Sequence, residues 1–195
     1  MVADEQPNDW TAEETSNVYQ AASRPDRTDP ACNQAIIELA HGDREALSVI
    51  YDRMARLIFS VAYATTGNPA DAEDVLQDTL IAVLRYASSY RDGSNAHAFV
   101  LTIARHLAID VVRKRKATVP LDEIAPADQP VCETDWSRCD VRDLLAVLTE
   151  DERQLVVLRL YAGLGYRKIS RVMEISVVAA QKRYQRALKK LKRLL

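Results

Sequence analysis

The chain has 195 residues, with only 5 glycines, 7 prolines and 6% aromatic residues. This length suits one domain or two small ones, and the composition argues against a β-sandwich, which needs many turns and aromatic strands. The formal net charge of -2 hides an uneven distribution: residues 1–30 and 117–148 each carry -5, residues 31–116 are balanced, and residues 149–195 carry +8. Long periodic runs rich in Ala and Leu predict an all-α protein.

Targeting signals and catalytic motifs are not recognisable in the sequence. The N-terminus is acidic and has no apolar run, and the longest apolar stretch, LIFSVAYA, is far too short to span a bilayer. Together with an odd number of cysteines, these features predict a protein of the reducing cytoplasm. Phosphate-binding glycine loops, zinc-binding motifs and nucleophile elbows are missing, so we predict no catalytic residue, no metal and no cofactor.

Two acidic segments divide the chain. Residues 1–32 have no helical period, which predicts a disordered acidic N-terminal tail. Residues 118–140 contain three prolines, Pro120, Pro126 and Pro130, and therefore predict a flexible acidic linker rather than one long helix. An alternative is that this linker lies against a basic surface, but a solvated linker is the expectation. Two helical modules remain, at residues 33–117 and 141–195.

The first module contains a well-marked helix boundary. Apolar residues recur at helical spacing up to Val61, and TGNPADAED then supplies Gly67 to end one helix, Asn68 to cap the next and Pro69 at its first position. The loop from Ala87 to His97 interrupts the period, and a last helix is predicted from about Ala98 to the RKRK that ends at Lys116.

The second module ends in a strongly basic helix. Thr149 and Glu152 form a predicted capping box, and the helix that follows is expected to bury Leu158 and Leu160 before it ends at Gly163. A short helix, YRKISRVM, a tight turn, EIS, and a long basic helix follow. This order predicts a helix-turn-helix, whose second helix enters the major groove of DNA.

The sequences DAEDVLQDTLIAVLR and AFVLTIARHLAIDVVRKRK, with the polar loop between them, resemble region 2 of the bacterial sigma factors of RNA polymerase, in the extracytoplasmic-function (ECF) subfamily. The second module resembles sigma region 4. The resemblance implies an all-α fold of two small helical domains joined by a flexible acidic linker. It also implies a protein that binds core RNA polymerase, directs it to promoters and helps open the DNA. An anti-sigma factor is a further expected partner.

The resemblance implies three sets of binding residues. The residues expected to dock on the β′ clamp helices of the polymerase are Asp71, Asp74, Gln77 and Asp78. Those expected at the -10 element are Tyr90, Asp92, Ser94, Asn95 and His97, which suit exposed bases, and Arg105, Arg113 and Arg115, which suit phosphates. Those expected at the -35 element are Ser176, Ala179, Lys182, Arg183 and Arg186, on a module that also contacts the β flap.

One departure from the family pattern has a conformational consequence. Glu174 occupies the turn position where the family usually has glycine, and a side chain in a left-handed turn costs about 1 kcal/mol. Two other functions stay open on the sequence alone. One is an autonomous helix-turn-helix regulator that binds duplex operator DNA without polymerase. The other is an adaptor whose basic helix docks on an acidic partner.

Overall fold

The computed structural model describes residues 29–91, 93–118 and 147–193, and all its regular elements are helical. The first module contains α1 (Pro30–Ala40), α2 (Ala46–Thr66), α3 (Pro69–Tyr86) and α4 (Ala96–Thr118), with a short 3-10 turn (Ala87–Ser89) after α3. The second contains α5 (Glu150–Val156), a π-helical turn (Val157–Tyr161), α6 (Tyr166–Val172) and α7 (Val177–Leu191). The all-α prediction is confirmed. Most of the predicted tail and linker lies outside the described residues.

The helix ends follow the local sequence signals. Gly67 ends α2 at a φ of 67°, with its N–H donating to Tyr63 O, and the Asn68 side chain accepts from the N–H of Asp71 at 3.2 Å. Both hydrogen bonds of the capping box between Thr149 and Glu152 are present at the start of α5. These boundaries confirm the predictions, because a helix start needs acceptors for its free N–H groups.

Helix α1 begins at Pro30, inside the segment that was predicted as tail. Asp29 caps it by accepting from the N–H groups of Ala31 and Cys32, and its second carboxylate oxygen lies 3.0 Å from the Arg53 guanidinium on α2. Burial opposes the charged form, but hydrogen bonds from Arg53 and the backbone outweigh it and lower the pKa of Asp29. One carboxylate therefore starts α1 and ties it to α2.

The π-helical turn changes which side chains face inward after α5. The N–H of Ala162 donates to Val157 O, five residues back, so the helix is locally wider than an α-helix. Arg159 becomes buried, with its guanidinium 4.7 Å from the Tyr166 ring centroid and donating to Leu164 O at 2.8 Å. Leu160 is instead half exposed. The prediction that Leu160 is buried is therefore wrong, since it assumed an uninterrupted α-helical period.

The turn between α6 and α7 has the backbone conformation that the sequence comparison suggested. Glu174 has a φ of 55°, and it is the only non-glycine residue among those described with a positive φ. The N–H of Ile175 donates to Ser170 O across this turn. Ser176 then caps α7 by accepting from the N–H of Ala179 at 3.1 Å. The helix-turn-helix therefore closes at the cost of one strained residue.

The two modules pack against each other, which the sequence did not predict. Helix α2 packs against α5 and the π-helical turn, and α4 packs against α6. Their buried side chains form one continuous apolar cluster. At this contact the Nε of Arg105 donates to Oε1 of Gln154 at 2.9 Å, and both side chains are buried. His106 lies 3.4 Å from Glu174 at the exposed edge.

Candidate functional site

Helix α3 presents a polar face to solvent. Asp74, Gln77 and Asp78 are all exposed, and their spacing of three and four residues places them on one side of the helix. Ile81, one turn further on, is 55% exposed and continues the same side. We call these four residues the α3 acidic face, after its two exposed carboxylates.

Asp71 does not belong to that face in this structure. Its carboxylate is only partly exposed and forms an ion pair with Arg115 at the end of α4. Its backbone N–H is the donor to the Asn68 cap. Asp71 therefore joins the ends of α3 and α4, and Arg115 has a carboxylate partner at the position where a phosphate was expected.

The loop before α4 is held by a residue of α1. The Asn33 side-chain oxygen accepts from the backbone N–H of Ala96 at 2.9 Å, and the Tyr90 hydroxyl donates to the same oxygen at 2.9 Å. The Tyr90 hydroxyl also lies 2.8 Å from Ser94 O, and its ring meets Phe99 edge-on with 5.2 Å between centroids. The loop therefore has a defined shape, with Ser94 exposed at its surface.

Three residues expected at the -10 element are buried in this conformation. Asn95 accepts from the N–H of Ala98 and so caps α4, while His97 is 3% exposed. The guanidinium of Arg105 donates a hydrogen bond to the side chain of Gln154 in the second module. The expectation that these three side chains are presented to solvent is corrected, because capping and packing use them. Their roles in DNA binding remain predictions, and Asp92 lies outside the described residues.

The end of α4 carries the exposed part of the predicted -10 surface. Arg113 is exposed, and its guanidinium lies 3.7 Å from the Asp110 carboxylate one turn earlier on the same helix. Such an exposed pair contributes little to stability and leaves Arg113 able to exchange its partner. Ser94, in the loop before α4, and Arg113, near the C-terminal end of α4, are thus two exposed members of the predicted -10 set, at opposite ends of the helix.

Only part of the predicted -35 set faces outward on α7. Lys182 and Arg186 are exposed, whereas Ala179 is partly buried. The Arg183 guanidinium lies 2.7 Å from the Asp151 carboxylate of α5. Ser176 is exposed and occupied as the helix cap. Arg183 thus joins α7 to α5, and Lys182 and Arg186 remain the predicted cations that face solvent.

A second ion pair fixes α7 on α5. The Nζ of Lys190 lies 2.6 Å from a carboxylate oxygen of Glu152, which also accepts from the backbone N–H of Thr149. Burial opposes ionisation of Glu152, but the hydrogen bonds from Lys190 and Thr149 prevail and lower its pKa. On the inner side of α7, Tyr184 is buried edge-on to Tyr166. These contacts hold α7 with one defined face outward.

That outward face includes residues that the sequence analysis missed. Val178 is 57% exposed, and Gln181, Lys182 and Gln185 are exposed at helical spacing from it. Gln181, Lys182, Gln185 and Arg186 line a shallow open groove. We call Val178, Gln181, Lys182 and Gln185 the α7 outer stripe. The signal for Val178, Gln181 and Gln185 is their position on the helical wheel, away from the apolar stripe that contains Tyr184.

Comparison with known proteins agrees with this two-part layout. Residues 50–118 match the Sigma-70 region 2 family model, and residues 140–191 match that of Sigma-70, region 4. The sigma factor CarQ of Myxococcus xanthus is 30% identical over 159 residues, covering 79% of this chain and 91% of CarQ. The ECF sigma factor SigK of Mycobacterium ulcerans is 26% identical over 183 residues, which cover 88% of this chain and 96% of SigK. The chain belongs to the ECF sigma factors.

Solved structures share the fold of this ECF sigma factor. The structure of CnrH in complex with the cytosolic domain of CnrY has a TM-score of 0.62 at 20% identity and covers 84% of this chain and 96% of CnrH. The sigma factor RpoE in complex with the anti-sigma factor NepR, from Bartonella quintana, has a TM-score of 0.62 at 23% identity. The match covers 75% of this chain and 94% of RpoE. Within residues 29–91, 93–118 and 147–193, no helix is long and apolar enough to cross a membrane.

Proposed function

We propose that this ECF sigma factor directs core RNA polymerase to promoters with a -10 and a -35 element and helps to open the DNA there. The observation that carries the proposal is the presence of two exposed faces on separate modules, the α3 acidic face and the α7 outer stripe. We propose no catalytic role for the chain, and we expect it to act in the cytoplasm with the polymerase.

The α3 acidic face is the proposed docking site for the β′ clamp helices. Its two carboxylates suit a basic partner and also attract it before contact, while the exposed Ile81 adds apolar area that the partner buries. Since these side chains have no role in packing the first module, their substitution tests docking without a change of fold. The β flap is the proposed contact of the second module.

The α7 outer stripe is the proposed reader of the -35 element in the major groove. Gln181 and Gln185 suit a two-hydrogen-bond contact with adenine, and Lys182 suits the acceptors of guanine. An exposed Val178 near the helix N-terminus suits the methyl group of thymine, since that end of a recognition helix meets base edges. The stripe therefore predicts a -35 element that includes adenine, beyond the phosphate contacts expected of Arg186.

Loss of the α3 acidic face tests the docking proposal. The triple variant Asp74→Ala, Gln77→Ala and Asp78→Ala is expected to lose co-purification with core polymerase and run-off transcription while keeping its helical content. Asp52→Ala, an exposed acid on α2, is the matched control and should behave as the unmodified chain. Full retention of polymerase by the triple variant would contradict the proposed docking face.

Selection of promoters from random DNA tests whether the α7 outer stripe recognises bases of the -35 element. With reconstituted holoenzyme, Gln181→Ala with Gln185→Ala should relax adenine preference in the -35 element, since a good two-hydrogen-bond contact gives about 1–3 kcal/mol of discrimination. Gln34→Ala on α1 is the control, because Gln34 is exposed and its side chain donates to Glu38 of its own helix. An unchanged base preference would remove Gln181 and Gln185 from the reading surface. Tight duplex binding without polymerase would favour an autonomous regulator instead.

An anti-sigma factor is the proposed regulatory partner. The support is the solved structure of RpoE, which was crystallised with the anti-sigma factor NepR. A partner of this kind is expected to compete with core polymerase for the exposed faces. Co-purification of the tagged chain from its native cells, followed by displacement with added core polymerase, would identify it.

A further inference from the structure

One side-chain oxygen of α1 joins the two sides of the loop before α4. The Oδ1 atom of Asn33 accepts from the hydroxyl of Tyr90, where the loop begins, and from the backbone N–H of Ala96, where α4 begins, each at 2.9 Å. A backbone N–H is always a donor, so the side-chain amide of Asn33 has its oxygen towards the loop. We call these two hydrogen bonds the Asn33 bridge.

The loop also has contacts of its own, and these are short-range. The N–H of Ser94 donates to Arg91 O at 3.0 Å, and Asn95 Oδ1 accepts from the N–H of Ala98 at 2.9 Å. Contacts of this kind shape a turn and begin a helix, but they do not fix the placement of the turn against the rest of the bundle. The Asn33 bridge is non-local, since its partners lie 57 and 63 residues further along the chain. It therefore ties the loop to the bundle.

The helix that supplies the oxygen is itself held in place. Cys32 and Ile36, close to Asn33 on α1, are fully buried in the core. Asp29, one turn before Asn33, caps the helix and pairs with Arg53 of α2 at 3.0 Å. A group on a packed helix positions its partners more precisely than a group on a loop does. The position of α1 therefore determines the position of the loop through one atom.

The Asn33 bridge lies beside residues expected at the -10 element. Ser94 is exposed in the same loop, and Tyr90 is both a member of the predicted -10 set and a partner of Asn33. Base recognition depends on hydrogen bonds of about 2.7–3.2 Å, so a loop displaced by about 1 Å loses them. The phosphate contacts expected of Arg113 carry no sequence information. The Asn33 bridge therefore affects which bases are read rather than the general attraction to DNA.

We propose that Asn33 is a positioning residue for the -10 element: by holding Tyr90 and Ala96 it keeps the loop in the conformation that reads an unpaired base. The inference rests on the proposed function, because that function makes this loop a reader of the -10 element. Asn33 acts through Tyr90 and Ala96 and needs no contact with DNA. Without the bridge only a fraction of the chains has the reading conformation at any time, and the affinity for the correct bases falls by that fraction.

Two substitutions at position 33 test the acceptor oxygen. Asn33→Ala removes the oxygen and leaves a residue that favours helix formation. Asn33→Asp keeps an oxygen at the same place, and a carboxylate accepts hydrogen bonds more strongly than an amide does. Its added charge lies one turn from Asp29, whose own carboxylate is paired with Arg53. Gln34→Ala is the matched control, because Gln34 is the adjacent residue on the same helix, is exposed and donates to Glu38.

The experiment selects promoters from random DNA with holoenzyme reconstituted from core polymerase and each full-length chain. The unmodified chain defines both elements, and the enrichment of its preferred base is then compared at each position. Asn33→Ala is expected to lower the enrichment in the -10 element by about fivefold to tenfold, the factor that about one net hydrogen bond supplies. Enrichment in the -35 element, which the second module reads, should stay the same and is the internal control. Asn33→Asp should restore the -10 preference, and Gln34→Ala should match the unmodified chain.

Three results would overturn the proposal. One is an Asn33→Ala holoenzyme with the -10 preference of the unmodified chain. Another is an Asn33→Asp chain as impaired as Asn33→Ala, because the acceptor oxygen would then not be the group that matters. The third is an equal loss of preference at both elements, which would indicate general destabilisation rather than positioning.

A further variant covers the case in which Asn33→Ala loses its helical content. Asn33→Gln keeps the amide but moves its oxygen by one methylene group, so it should lower the -10 enrichment, and an unchanged -10 preference would refute the Asn33 bridge. Failure of the unmodified chain to co-purify with core polymerase, or to select any promoter, would instead refute the proposed function.

Discussion

Replacing Lys190 by methionine removes the charged partner of Glu152 while keeping the length of the side chain. Glu152 is 6% exposed, so after the substitution its carboxylate would keep the hydrogen bond from the backbone N–H of Thr149 at 3.0 Å but would have no charged partner. Breaking a fully buried ion pair costs about 3–5 kcal/mol, but Lys190 is 38% exposed, which lowers the expected cost to about 1.5–3 kcal/mol. For a chain of this length, this corresponds to a fall in Tm of roughly 3–12 °C.

The pH dependence of this effect has a defined sign. The pKa of Glu152 is lowered in the folded chain, so its contribution to stability is complete above the unfolded pKa and is lost as the pH falls through the folded value. Without Lys190 the folded pKa of Glu152 rises. The difference in Tm between the two chains should therefore be constant near neutral pH and shrink below about pH 4, the usual range of a glutamate.

Thermal unfolding followed by circular dichroism measures both the fall in Tm and its dependence on pH. Lys189→Met is the matched control, because Lys189 is the exposed neighbour on the same helix and the same charge is removed. Equal Tm values of the two methionine variants at neutral pH would show that the Lys190–Glu152 ion pair does not stabilise the fold. An effect of Lys190→Met that grows towards acid pH would contradict the lowered pKa of Glu152.

Three further outcomes follow from burial and capping. Thr149→Ala should lower the free energy of unfolding by about 1 kcal/mol in denaturant titrations, because it removes the cap of α5, and no change would exclude the cap as a stabilising contact. Leu160→Ser should change it by less than about 0.5 kcal/mol, whereas Leu158→Ala should cost about 2–5 kcal/mol, and equal effects would contradict the π-helical turn. Burial raises the pKa of the Cys32 thiol to about 12, so peptide mapping after maleimide treatment should show Cys32 protected until the chain unfolds, and rapid native labelling would contradict its placement.

Local signals predicted the helix boundaries, and non-local contacts explain the errors. The caps at Asn68, Thr149 and Ser176 were predictable because each depends on residues within three positions along the chain. The hydrogen bond between Arg105 and Gln154 was not predictable, because the two residues are 49 positions apart and neither has an unusual neighbourhood in the sequence. Leu160 was misplaced because the apolar pattern contains no signal for a single π-helical turn.

For the candidate DNA-binding residues, too, the local sequence indicates part of the arrangement and non-local contacts determine the rest. Residue type singles out cations and amides as candidates for DNA binding, but it does not tell which of them has an internal partner. Arg183 and Lys182 are adjacent in sequence, and only the fold reveals that Arg183 turns to Asp151. Val178 is not in the predicted -35 set, because its apolar side chain gave no sign in the sequence that it is 57% exposed.

The position of Asn33 has a consequence for shortened versions of this protein. The match to Sigma-70 region 2 begins at residue 50, which makes that point a natural choice for an expression boundary. A chain cut there would lack the amide oxygen to which Tyr90 and Ala96 donate from 57 and 63 residues away. Promoter melting assays on such a fragment would then report a loop released from its anchor, even if every residue of the loop itself were present.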